Sequence, residues 1–221
     1  MVNIVYLIIA GFIGYLFGSI PFGYIYVKAK TGQILTEVGS GRTGGTNSLR
    51  AAGKGVGILT SLSDVAKGFT ALWLTRLLFT NVLNGEWLPW ALAVAGVMSV
   101  VGHNWSLFLK FRGGAGTGPN VGWSTAIWFP MFPIAFLVML AFYFGLGIAS
   151  VASLAMGAII PIIFAVRYIT GVDATAAYLI GGLAAAAIVA WALRPNIKRL
   201  LRGEERVVGP QARRKQKKAE G

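Results

Sequence analysis

Cysteine is absent from the chain and histidine occurs once. Disulfides, thiolate catalysis and cysteine-based metal sites are therefore excluded. One histidine and seven carboxylates leave too few ligands to expect a protein-bound catalytic zinc. No metal or other cofactor is expected. Charge is also scarce, at 12% of residues, against roughly a quarter in ordinary globular chains. In its place stands a hydrophobic fraction of 56%, delivered in long uninterrupted blocks. That pattern predicts an all-α, polytopic integral membrane protein. Residues 1–203 read as a single membrane domain, and 204–221 as a basic, disordered cytoplasmic tail.

The little charge present is unbalanced, with 20 Lys and Arg against seven carboxylates and a net charge of +13. In a soluble protein this would point to nucleic acid. Here ten of the cations lie from Arg194 onward, directly after the last apolar block. Such juxtamembrane clusters stay in the cytoplasm and are drawn to anionic headgroups. Membrane lipids, not nucleic acid, are the expected partner.

The first block runs past Pro21 to Val27 with no basic leader, which predicts a retained span. Further blocks cover about 55–80, 88–103, 150–166 and 174–193. Between them, 121–147 is either one helix or a hairpin broken at Pro130 and Pro133. Loops 28–54 and 104–120 carry cations and belong on one side. A hairpin gives seven spans and puts the ten-cation segment on that same side; one helix would put it outside. The positive-inside rule selects the hairpin. The expectation is seven helices, N-terminus out and C-terminus in, in the plasma membrane, with the chemistry facing the cytoplasm.

Two polar, glycine-rich runs face that compartment, Gly39–Arg50 and Gly102–Gly118. Glycines let backbone N–H groups turn inward around an anion, and Gly39, Gly41, Gly44, Gly45, Gly113 and Gly114 are candidates. Thr46 and Asn47 add neutral donors, and Lys54 and Arg112 add charge. The Arg50 guanidinium is a fork shaped for phosphate oxygens. Tight turns and close helix packing would also use glycine, but would not gather Arg50, Asn47, His103 and Asn104 beside it. Gly39-x-Gly41-x-x-Gly44 matches a dinucleotide fingerprint only in form, for no strand precedes it.

Asp64 and Lys67 lie within the second span, spaced to share a helix face. Charges at that depth must pair or reach a polar cavity, so they are expected to support the site. His103 stands at a membrane exit and could accept the proton of an attacking hydroxyl. A carrier or flippase for a phosphorylated or lipid solute is the rival class, since broken helices aimed at an anion also describe transporters. No internal repeat supports it.

Taken in order, Gly18-Ser-Ile-Pro-Phe-Gly23, the pattern of 39–50, Asp64-x-x-Lys67-Gly68, Gly102-His-Asn104, Phe111-Arg-Gly-Gly114, Ser150-x-x-Ser153 and Asn196–Gly203 resemble the bacterial membrane acyltransferases that use acyl-phosphate to acylate glycerol 3-phosphate. The resemblance implies an all-helical fold of seven spans and transfer of a fatty acyl group to the primary hydroxyl, giving lysophosphatidic acid for phospholipid synthesis. Acyl-phosphate and glycerol 3-phosphate are the implied substrates. By motif match Ser40, Asn47, Arg50, His103, Asn104 and Ser150 belong to the site. Ser40, Arg50, His103 and Asn104 are the expected catalytic set; Ser150 joins the substrate-binding one. Where the family typically places a second lysine in the later glycine loop, this chain has Ala115, and Leu193-Arg-Pro stands where a histidine-containing run is typical.

Overall fold

The computed structural model describes residues 2–208 and 211–212. Of the expected basic tail 204–221, residues 209–210 and 213–221 lie outside them. The described chain is all-helical: α1 (Val2–Ser19), α2 (Phe22–Thr31), α3 (Gly45–Ala52), α4 (Lys54–Phe79), α5 (Trp87–Asn104), α6 (Thr117–Ile127), α7 (Met131–Leu146), α8 (Ala149–Ile169), α9 (Ala177–Ala192) and α10 (Arg194–Leu201). Two helical segments are long and apolar enough to cross a membrane unaided, Val2–Thr31 and Ala149–Ile169. A third qualifies if α9 and α10, bent by 63° at their junction, count as one. The 26-residue α4 is long enough but carries Asp64 and Lys67 midway.

Proline decides the breaks. Pro21 separates α1 from α2, because its ring blocks helical continuation and it has no N–H to give. The 121–147 stretch is interrupted at Trp128–Pro130, with Pro130 at the N-terminus of α7. Pro133 does not share in that break. It sits in the first turn of α7, where its missing N–H leaves no bond unmade. At 11 residues α6 spans only about 16 Å, and from Pro119 to Ala126 it is buried.

Small residues set the closest packing, as expected where lipid removes the hydrophobic drive between helices. A Cβ on Gly14 or Gly18 of α1 would overlap the carbonyls of Ala95 and Ser99 on α5. On α6, Gly122 lies equally close to Val65 and Phe69 of α4. Inside, Trp123 and Phe164 pack 5.5 Å apart between ring centroids, joined by Leu72, Leu92, Ile160 and Val189. These contacts hold α4, α5 and α6 together, with the polar loops at their Lys54, Asn104 and Thr117 ends.

Candidate functional site

Four polar features converge there. The first is the loop preceding α3. Asn47 is buried, and its Nδ2 donates toward the carbonyls of Arg42 (2.9 Å), Val38 (3.0 Å) and Leu35 (3.3 Å). Its Oδ1 accepts the Ser40 N–H at 3.0 Å. Asn47, expected to hold substrate phosphate, is thus consumed in shaping the loop. What it leaves outward is Ser40, Thr46 and Arg50, all exposed. Gly39 and Gly41 have φ of 62° and 68°, a conformation cheap only for glycine.

The second is the glycine-rich run after α5. Its Gly114 N–H donates to the His103 carbonyl at 2.9 Å, and a Cβ there would overlap His103 Nε2. Only glycine lets the backbone lie so close to the imidazole. Gly116, with φ of 82°, then opens α6 beside the Asn104 side chain. Asn104 is buried, yet neither its Nδ2 nor its Oδ1 has a partner among the described residues. A buried amide left unpaired costs about 1–3 kcal/mol, so it is poised for a polar ligand at the N-terminus of α6. The two glycine-rich loops touch: the Thr43 N–H donates to the Gly113 carbonyl at 3.4 Å. Arg112 is exposed, and Ala115 packs partly buried against the apolar core. Lys54 stands exposed at the start of α4.

The third is buried beneath these loops. Asp64 and Lys67 form the expected ion pair at 2.9 Å. Lys67 Nζ also meets the Ile20 carbonyl at 2.8 Å and His103 Nδ1 at 2.9 Å. At the α1–α2 break that carbonyl has no i+4 helical donor and otherwise accepts the Phe22 N–H at 3.2 Å.

The fourth was not legible as a unit. Ser150 Oγ donates to Glu205 Oε1 at 3.0 Å. Asn196 donates to the same oxygen at 2.7 Å, and Arg199 Nε to Glu205 Oε2 at 2.8 Å. Gly203, φ 72°, reverses the chain after α10 so that Glu205 can return. Burial opposes ionisation of Glu205, but hydrogen bonds from Asn196, Arg199 and Ser150 hold its carboxyl below the usual range. Around it stand Arg42, which donates to the Ala192 carbonyl at 2.6 Å, and Arg50. Burial, then Arg199, lowers the Arg42 pKa from its ordinary value; burial, then Arg206, lowers that of Arg50. Cations so crowded favour the arrival of an anion. Arg42 lay inside a run already singled out, and Asn196 inside a quoted motif. Arg199 lay inside that same motif, and neither spacing nor composition marked Glu205.

Comparison with known proteins gives the family and the overall fold. The glycerol-3-phosphate acyltransferase family matches residues 8–203. A glycerol-3-phosphate acyltransferase of Rubrobacter xylanophilus is 35% identical over 201 residues, covering 89% of this chain and 92% of that one. One from Erythrobacter litoralis is 36% identical over 207 residues, covering 91% and 94%. Among solved structures, the integral membrane glycerol 3-phosphate acyltransferase PlsY (YgiH) in its glycerol 3-phosphate form superposes with a TM-score of 0.77 at 31% identity, covering 96% of this chain and 98% of that one. Its lysophosphatidic acid form gives 0.75 at 30% identity, covering 92% and 95%. Matched along nearly its whole length, the chain belongs to the glycerol-3-phosphate acyltransferase family.

Proposed function

We propose that this integral membrane protein transfers a fatty acyl group from acyl-phosphate to the primary hydroxyl of glycerol 3-phosphate, releasing inorganic phosphate and forming lysophosphatidic acid. The single observation that carries the reading is the contact of the two glycine-rich loops at Thr43–Gly113. It joins the loop leading into α3 to the loop that runs from Asn104 into α6, two neighbouring places for anionic groups.

The chemistry suits such a site. Acyl-phosphate is already activated, so the hydroxyl can attack the acyl carbon directly while the carbon–oxygen bond to phosphate breaks and the departing phosphate takes the hydroxyl proton. The protein's task is to hold both reactants in attack geometry and to aim donors at the developing oxyanion. In this reading Gly113, Gly114, Gly116 and the Asn104 amide cradle the donor's phosphoryl and acyl oxygens. Arg50, Ser40 and the cations around Ser150 and Asn196 take the phosphate of the acceptor. The acyl chain lies among the apolar helices.

The same contacts support a seven-span topology with the site on the cytoplasmic face of the plasma membrane. Helices α1 with α2, α4, α5, α6, α7, α8 and α9 make seven traverses, α6 and α7 forming the hairpin. The Thr43–Gly113, Arg42–Ala192 and Ser150–Glu205 bonds tie loops that must then share one side. That side holds the cation-rich segments.

The test is purified protein given acyl-phosphate and glycerol 3-phosphate, with lysophosphatidic acid and released phosphate both quantified. Equal amounts of the two products are expected. Donor hydrolysis without ester, or no turnover, would overturn the reading.

A further inference from the structure

Lys67 is buried, its side chain 2% exposed, and its ammonium has three hydrogens to place. Nζ is in hydrogen-bonding geometry with the Ile20 carbonyl at 2.8 Å and His103 Nδ1 at 2.9 Å, and its charge is paired with Asp64 Oδ1 at 2.9 Å. Each contact counts, for a buried ammonium without partners is costly. Two of them are fixed acceptors, a carboxylate and a carbonyl. The third must present a lone pair as well, so His103 Nδ1 carries no hydrogen. The alternative, Nδ1–H donating to Asp64, is disfavoured by its 3.5 Å separation and would strand one Lys67 hydrogen against another donor.

We infer that Lys67 is a positioning residue that locks His103 in its Nε2–H tautomer, making His103 a hydrogen-bond donor to the site and not a proton acceptor. The Nε2–H edge is the one that faces Gly114 and the loop leading into α6. A neutral ring has one acceptor nitrogen, and here Lys67 occupies it. The proton-accepting role expected of His103 from sequence alone is therefore taken from it. The buried Asp64–Lys67 pair gains a purpose as well. Asp64 anchors the ammonium, Ile20 at the α1–α2 break aims it, and the ring is held against the loop.

The catalytic meaning of this inference rests on the acyl-transfer reading, but its first test does not. His103 is the only histidine, so a protein labelled with ¹⁵N-imidazole histidine gives the spectrum of one ring. The expected spectrum of the full chain in micelles, without substrate, shows protonated Nε2 and unprotonated, hydrogen-bonded Nδ1. An Nδ1–H tautomer or an imidazolium would overturn the inference whatever the activity.

Two sets of variants follow. The uncharged pair Asp64→Asn with Lys67→Met should release the lock and give a mixture of tautomers, whereas an unchanged Nε2–H spectrum would remove Lys67 from the role. His103→Gln places an amide N–H near the position of Nε2 but cannot act as a base. It should keep kcat within about tenfold of the parent, while His103→Ala loses roughly a hundredfold or more, as removal of a positioned hydrogen-bond donor does. Equal losses in the two variants would overturn the donor assignment.

Discussion

Ser150 and Glu205, 55 residues apart, are joined by a 3.0 Å hydrogen bond that pins the chain after α10 to the start of α8. The Glu205 side chain is only 7% exposed and also receives Asn196 and Arg199. Removing it leaves three donors and their neighbouring cations without a counter-ion. Glu205→Ala is expected to lower thermal stability in detergent and to abolish turnover, while Glu205→Gln keeps part of both. Near-normal melting of Glu205→Ala would show that the cluster is incidental.

The same carboxylate sets a pH dependence. Its folded-state pKa is depressed, so the stabilisation is fully present above the ordinary carboxylate pKa. It is lost as pH falls through the lower, folded value. Arg42, Arg50 and Arg199 face it. Melting measured from neutral pH downward should fall below the ordinary glutamate range, and the fall should be smaller in Glu205→Gln.

Arg50 is exposed beside this cluster and makes no hydrogen bond among the described residues. If it takes the acceptor's phosphate, a lysine point charge cannot replace its two-pronged donation. A charge-assisted hydrogen bond is worth about 1.5–3 kcal/mol, so Arg50→Lys should raise KM for glycerol 3-phosphate roughly tenfold to a hundredfold. Steady-state kinetics showing an unchanged KM would take Arg50 out of the site.

Gly114→Ala tests the closeness of loop and imidazole. The added methyl must displace either His103 or the loop, and a shift of about 1 Å at a reacting centre can cost a hundredfold in rate. The expected result is a folded, monodisperse protein whose kcat falls by about that factor. Full activity would mean that the loop moves freely.

Because cysteine is absent, single cysteines report topology without background. Asn84→Cys and Ala212→Cys should label from opposite faces of sealed vesicles, position 212 from the cytoplasmic one. Labelling from the same face would overturn the seven-span arrangement.

Much of this was determined by the sequence alone. Apolar blocks specify helices because a backbone in lipid must satisfy its own hydrogen bonds, and the blocks at 55–80 and 88–103 correspond closely to α4 and α5. Proline marks the breaks at Pro21 and Pro130 because it cannot continue a helix, whichever way the chain then turns. The i, i+3 spacing places Asp64 and Lys67 on one face, and their pair forms. What residues do to partners distant in sequence had to await tertiary structure. Asn47 reads as a ligand in a polar loop, yet burial turns its amide inward onto Leu35, Val38 and Arg42. Glu205, unremarkable among basic neighbours, becomes the hub of a cluster only because Gly203 reverses the chain onto α8 and α10. His103 exposes two chemically different nitrogens, and nothing in the sequence says which carries the proton. What tells them apart is the packing of α5 on α4, which sets Lys67 2.9 Å from Nδ1.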